Sequence, residues 1–384
     1  MIAYNKTSLH NEQIQEQSTT AFENNFISKE EAENIKLKFP VVFYTPNIFI
    51  RIGLFILTGI VISFSFSLFS MPFMGFIKNA WEGLILFFSL LTYAALEFMI
   101  QSKKHYKSGV DDALMWYFAG MLFASIILIL DAGALTNCIL AFVISFYCLL
   151  RFADRVMSAI TFFSFLGILF FVFNDHTGIS KAIIPFVLMA ASAAIYFLIM
   201  LLEKKENLKD YASCFTIISI VSLFSFYAAG NYYIVREVNN EMFHLTNDGS
   251  LPFGWLFWIF TVLIPIVYLV RGILNKDSMF LRIGLILIAA MILTILYYYP
   301  IVPVEIAMTI AGSILLIVSY ALIKFLKQPK FGFTYAELNR ENNFEKLQIE
   351  SLIIAETSGH QTTPTETTKF GGGSFGGGGA GGEF

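Results

Sequence analysis

The sequence predicts an all-α protein: a polytopic membrane helix bundle of about ten transmembrane helices with both termini cytoplasmic. Three observations carry this prediction. From Asn47 to Leu326 the chain is a near-continuous series of apolar runs separated by short polar breaks. Hydrophobic residues make up 57% of the chain and charged residues only 14%, where a soluble domain holds about 45–50% and about 25%. The Lys and Arg residues also fall in alternate breaks between the runs, as the preference of basic loops for the cytoplasmic side requires.

Residues 1–46 form a polar leader with no apolar stretch at its start, so no cleavable signal peptide is expected. Ser28-Lys29-Glu30-Glu31 is a capping box, in which the serine caps a helix and the glutamate three residues on reaches back. The helix it opens should stop near Phe39, because Pro40 cannot continue it. Phe22, Phe26, Ile27, Ala32, Ile35 and Phe39 would pair it with a preceding helix near Gln13 to Glu23. The alternative is a solvated leader without a partner.

Ten candidate spans follow, at 47–69, 83–100, 113–130, 134–150, 157–173, 183–202, 211–230, 254–270, 280–298 and 303–325. A spanning helix needs about 20 residues, so the fourth and fifth are the shortest and the eighth is marginal. Pro185, Pro265 and Pro303 lie in or at the start of runs, which bilayer helices tolerate. With the N-terminus inside, only Lys78, Lys181 and Arg236 of the 25 basic residues fall outside. The other 22 lie on the cytoplasmic side. The outer loops are short except Asn231 to Phe253, flanked by Tyr232, Tyr233 and Trp255. Arg51-Ile52-Gly53-Leu54 recurs as Arg282-Ile283-Gly284-Leu285, but an inverted repeat would match the first span to the sixth, so this does not mark one.

After the last span, residues 327–358 form a cytoplasmic segment with an amphipathic element at Tyr335 to Thr357. Residues 359–384 form a Thr/Gly-rich tail expected to be disordered. Its glycines leave Phe370, Phe375 and Phe384 as the groups able to make sizeable contacts. Such an ending suits capture by a cytoplasmic or membrane partner.

The tail resembles the glycine-rich endings, of the form GGGSFGGGGA followed by an aromatic, that close several bacterial membrane-anchored families. The leader Phe26-Ile27-Ser28-Lys29-Glu30-Glu31-Ala32, followed by a first span carrying Arg51-Ile52-Gly53, resembles the opening of a family of bacterial multi-pass inner-membrane proteins of unknown function. The resemblance implies a bacterial inner membrane and a cytoplasmic tail. It implies no activity and no functional residue.

Few residues offer chemistry. Cys138, Cys148 and Cys214 lie in apolar runs without metal-ligand spacing and read as small buried hydrophobes. Glu97 sits about a turn from the inner end of the second span, near Lys103 and Lys104, and reads as a snorkelling interfacial carboxylate. Glu305 opens the last span, where a carboxylate favours a helix N-terminus. Asp175 and His176 in one outer loop, with Glu241 and His244 in another, would bind zinc only if the loops meet. No catalytic or nucleotide-binding motif is present, and a net charge of -3 argues against a nucleic-acid partner. No cofactor is implied.

These features favour a non-enzymatic membrane protein that recruits or organises partners through its cytoplasmic ends, with the lipid bilayer as its obligate environment. The alternative is a transporter or lipid-handling protein with a cavity between the helices. An enzyme on the outer face ranks third.

Overall fold

In a computed structural model, the structure describes residues 2–23, 26–73, 81–131, 133–175, 181–243 and 252–299, with isolated helical positions between 306 and 324. Two compact units are present, Met1–Ser313 and Ile314–Phe384. Apart from those isolated positions, the tenth span lies outside the described residues, as do the amphipathic segment and the tail.

Two leader helices, α1 (Lys6–Glu23) and α2 (Lys29–Lys38), precede the spans. The capping box of α2 is complete: the Glu31 amide donates to Ser28 Oγ at 3.2 Å, and the Ser28 amide donates to Glu31 Oε2 at 2.8 Å. The first helix begins at Lys6 rather than near Gln13. Asn11 Nδ2 and Gln15 Nε2 donate to the carbonyls of Pro40 and Phe39, which binds α1 to the end of α2.

The spans are α3 (Ile48–Ser70), α4 (Trp81–Lys103), α5 (Val110–Leu130), α6 (Ala134–Phe152), α7 (Arg155–Asp175), α8 (Ile184–Leu202), α9 (Ala212–Gly230), α11 (Gly254–Leu274) and α12 (Ser278–Tyr298). Among the described residues these nine are long and apolar enough to cross a membrane. The chain is therefore an all-α, multi-pass membrane protein. Helices are the required solution because hydrocarbon leaves backbone N–H and C=O groups no other partner.

Several spans are longer than their apolar runs. The runs at 134–150, 157–173 and 254–270 become helices of 19, 21 and 21 residues. An apolar run ends at its last apolar residue, whereas the helix carries Arg151, Arg155 or Arg271 into the interface. Similarly, α5 starts at Val110 and takes Asp111 and Asp112 into its first turn, where carboxylates suit the positive end of the helix dipole. Asn47 and Asp277 cap α3 and α12 through their side chains.

Sequence neighbours pair as hairpins: α4 with α5, α6 with α7, α8 with α9 and α11 with α12. The first span, α3, packs chiefly on α5 and buries the least of its surface. Contacts of α5 with α6, of α7 with α9, and of α9 with α11 and α12 chain the hairpins together. Two glycines permit close approaches. A Cβ on Gly272 would lie 2.7 Å from the Leu281 amide nitrogen, where α11 meets α12. Gly109, at φ +91°, leaves no room for a Cβ, which would fall 2.1 Å from the Arg51 carbonyl oxygen of α3.

The outer loop expected at Asn231 to Phe253 contains a helix, α10 (Tyr232–Phe243). Asn231 starts it by accepting from the Ile234 amide at 3.2 Å. The same side chain donates to Tyr227 Oη and Thr294 Oγ1 at 2.9 and 3.1 Å, which ties α10 to α9 and α12.

Candidate functional site

The polar structure of the molecule concentrates at its basic end. There α4 presents Tyr93, Glu97 and Gln101 as one row at four-residue spacing, and α6 presents Tyr147 and Arg151 likewise. The two rows meet. Arg151 Nε donates to Glu97 Oε1 and Nη2 to Oε2, both at 3.0 Å. Tyr93 Oη and Gln101 Nε2 donate to the same carboxylate at 2.9 and 3.0 Å. Tyr93 and Tyr147 hydroxyls lie 2.6 Å apart. The Glu97 side chain is 16% exposed and that of Arg151 30%. Glu97 is thus not a snorkelling carboxylate beside Lys103 and Lys104. It belongs to a two-pronged ion pair that joins the α4–α5 hairpin to the α6–α7 hairpin.

A second carboxylate organises the connection from α4 to α5. Asp111 is 2% exposed. Its Oδ2 accepts from the Lys107 amide at 2.9 Å and from Tyr4 Oη at 3.2 Å. Its Oδ1 accepts from the Ser108 amide and hydroxyl, both at 2.9 Å. His105 Nδ1 lies 2.8 Å from Ser108 Oγ. These bonds fix a loop in which Lys104, Lys107 and Gly109 all have positive φ, a conformation that costs a non-glycine residue roughly 1–2 kcal/mol. Next to it, Asp112 accepts from Arg51 Nη2 at 2.7 Å and holds α3 to α5.

The leader closes onto this cluster. The Ala3 amide donates to the Arg151 carbonyl at 2.8 Å, serving one of the carbonyls that the last turn of α6 leaves unpaired. Tyr4 meets Phe43 and Tyr106 edge-on, and Leu9 is buried in the same apolar cluster as Leu96 and Phe118. Burial, followed by the field of Asp111, pushes the Tyr4 phenol well above its ordinary range, so it remains a donor. The Tyr44 amide donates to the Lys104 carbonyl at 3.0 Å and adds a second seam.

Between α1 and these loops lies an open cleft of 680 Å³. Its leader wall carries Glu12, Gln13, Glu16 and Gln17, and its opposite wall Tyr106, Lys107, Lys209 and Asp210. Burial raises the Glu12 carboxyl above the ordinary value, although Lys107 and the Tyr106 hydroxyl pull it down. Asp154, which caps α7 by accepting from the Met157 amide at 2.8 Å, is also raised by burial.

Of the residues singled out from sequence, Glu97 has become the centre of a network. Glu241 is exposed on α10. Asp175 ends α7, with its side chain outside the described residues, and His176, His244, Glu305, Phe370, Phe375 and Phe384 lie wholly outside them. Of the four residues of the expected zinc arrangement, only the Glu241 side chain is among the described ones. Among the described residues no three His, Cys, Asp or Glu side chains are placed to hold a metal ion. All three cysteines are free thiols.

Sequence reasoning missed Asp111, Asp112, Arg51, Tyr4 and Arg151 as site residues. Adjacent carboxylates opening an apolar run were the available signal for the first two. Nothing local links Glu97 to Arg151, 54 residues away. Set against protein-family models, curated proteins and solved structures, the chain matches none.

Proposed function

We propose that this is a multi-pass protein of the bacterial inner membrane whose cytoplasmic end recruits or organises a partner and performs no chemistry of its own. The observation that carries the reading is the docked leader. Tyr4 and Ala3 fix it to Asp111 and Arg151, and the open cleft beside it carries Glu12 and Glu16 on one wall and Lys107, Lys209 and Asp210 on the other. A charged, preformed cleft facing the cytoplasm suits a polar protein segment, and charge complementarity would set its register. The basic residues give the sidedness, and the resemblances of leader and tail support the bacterial assignment. The tail, with Phe370, Phe375 and Phe384, would extend the reach of that end.

Four hydroxyls within the spans support packing over a substrate path. Ser89 donates to the Phe118 carbonyl, while Thr92, Ser222 and Thr261 donate to carbonyls one turn back in their own helices. The test is photo-crosslinking in cells from Gln13 and Gln17 in the cleft, with Lys29 on α2 as control. The expected result is one discrete adduct from both cleft positions. It should weaken with the charge reversal Lys107→Glu and with deletion of Phe370–Phe384. No adduct from either position would overturn recruitment at this cleft. An adduct indifferent to both changes would do the same.

A further inference from the structure

The closed network around Glu97, Arg151 and Asp111 leaves a rim of cations that it does not use. Lys36 and Lys38 lie in the last turn of α2, Lys103 in the last turn of α4, and Lys104 follows directly. The Tyr44 amide donates to the Lys104 carbonyl at 3.0 Å, so the segment after α2 runs alongside the end of α4. All four lysines are exposed. Among the described residues none of the four enters an ion pair. Lys38 lies 6.0 Å from the centroid of the Phe39 ring, which supplies no counter-charge. The neighbouring acids are engaged elsewhere: Glu33 lies 3.8 Å from Lys29, Glu31 closes the capping box, and Glu97 is held by Arg151. Glu30 and Glu31 open α2, about 10 Å along the helix axis from the lysines that end it.

Between the lysines of α2 and the first span the chain exposes apolar side chains. Leu37, Val42 and Tyr44 are 80%, 52% and 47% exposed. Three residues later α3 begins, and Ile48, Phe49 and Ile52 in its first turns are exposed as well. On a spanning helix such a face meets lipid. The exposed apolar residues therefore continue the lipid-facing surface of α3 back to the end of α2. A single exposed leucine is ordinary, but an apolar run that extends a lipid-facing surface and is bordered by cations is the pattern of a segment lying in the membrane interface. Tyrosine marks the headgroup level, and lysine reaches headgroups along its aliphatic stem. Lysines clustered beside a span attract anionic lipid, each by about fivefold.

We propose that the end of α2 and residues 37–44 form an interfacial anchor that binds anionic phospholipid in the leaflet at the basic end. Leu37, Val42 and Tyr44 lie where the acyl chains begin, and Lys36, Lys38, Lys103 and Lys104 meet the phosphates. None of these residues lines the cleft beside α1, so the anchor stands whether or not a partner docks there.

The experiment uses the full-length protein in nanodiscs of phosphatidylcholine, with and without phosphatidylglycerol. It reads hydrogen exchange of the amides from Val41 to Phe43, and the ratio of the two lipids retained in native mass spectrometry. The wild type should retain phosphatidylglycerol in preference, and the amides should slow when that lipid is present. High salt should weaken both effects. Lys36→Gln with Lys38→Gln should reduce the preference by about fivefold for each charge removed, and Lys103→Gln with Lys104→Gln should do the same. The melting temperature in phosphatidylcholine should not move, because these side chains are exposed. Leu37→Ser keeps every charge. It should speed exchange in both kinds of disc while the lipid preference persists. Equal retention of the two lipids would overturn the proposal. So would a preference that survives removal of all four charges. Amides as slow in detergent as in phosphatidylglycerol discs would also overturn it, because the cover would then be protein. Protection that grows with protein concentration in detergent would replace the lipid with a second copy of the chain.

Discussion

The two ends of the bundle handle their polar groups differently. At the basic end, cations and carboxylates answer one another. Arg151 grips Glu97 with two nitrogens, Tyr93 and Gln101 occupy the same carboxylate, and Asp111 receives four donors. At the opposite end, Asn240 and Tyr298 offer donors to no described acceptor beside the Arg236 guanidinium. Both ends use four-residue rows on helices and both are rich in tyrosine, so composition alone does not separate them. The difference is closure. The network at the basic end satisfies its own charges and joins two hairpins, whereas aromatic contacts among Tyr232, Trp258 and Tyr298 join α10 to α11 and α12 at the other.

The comparison breaks most sharply at Gly109. Gly109→Ala would force a Cβ into the Arg51 carbonyl at positive φ, and the expected loss is about 3 kcal/mol or more. It should appear as reduced yield and a lowered melting temperature, and Gly120→Ala, with open space around the position, supplies the control.

The ion pair comes next. Glu97→Gln leaves Arg151 partly buried without its counter-charge, and about 2–3 kcal/mol should be lost, below the roughly 3–5 of a fully buried pair. The double variant Glu97→Gln, Arg151→Met should recover much of that loss. A double-mutant cycle with coupling under about 0.5 kcal/mol would make the pair a surface contact. Asp111→Asn should cost about 1–3 kcal/mol. It should also release the leader, read as faster proteolysis between Ile2 and Glu23.

The smallest effect is on pH. Burial raises Glu12 above its ordinary value, so its charged form opposes docking. Its stabilising contribution is fully present below the unfolded value of roughly 4.3 and is lost as pH rises through the folded value. Leader protection should therefore increase as pH falls from neutral towards that value. Glu12→Gln should raise protection at neutral pH and flatten part of the profile. Asp154, shifted in the same direction by burial, keeps the remainder. Glu31 acts oppositely, because the Ser28 amide and hydroxyl lower its carboxyl, but its effect is confined to the cap of α2.

The spans were legible because a bilayer imposes a long apolar run on each crossing, and the placement of Lys and Arg orients them. The capping box at Ser28 and Glu31 was legible for the same kind of reason: its geometry is local, three residues apart. The site was not. Glu97 stood out as an acid in an apolar run, but its partner is 54 residues away, and an interfacial arginine such as Arg151 looks like any other basic residue at a helix end. Asp111 was hidden because its helix starts before its apolar run. The helix at Tyr232–Phe243 read as a loop because Arg236, Glu237, Asn239, Asn240 and Glu241 break its apolar residues into pieces too short to span. A tertiary contact decides the pairing of Glu97 with Arg151, and nothing local in the sequence links the two.

The difference between the ends is tested most directly by hydrogen exchange on the wild-type protein and the Asp111→Asn variant, both full-length and in nanodiscs. Amides of the leader from Ala3 to Leu9 should exchange faster in the variant, because Tyr4 has lost its charged acceptor, and those of α10 from Val235 to Glu241 should not change. A leader that exchanges at the same rate in both proteins, or an α10 that responds as strongly as the leader, would contradict an account in which carboxylates close the basic end on itself.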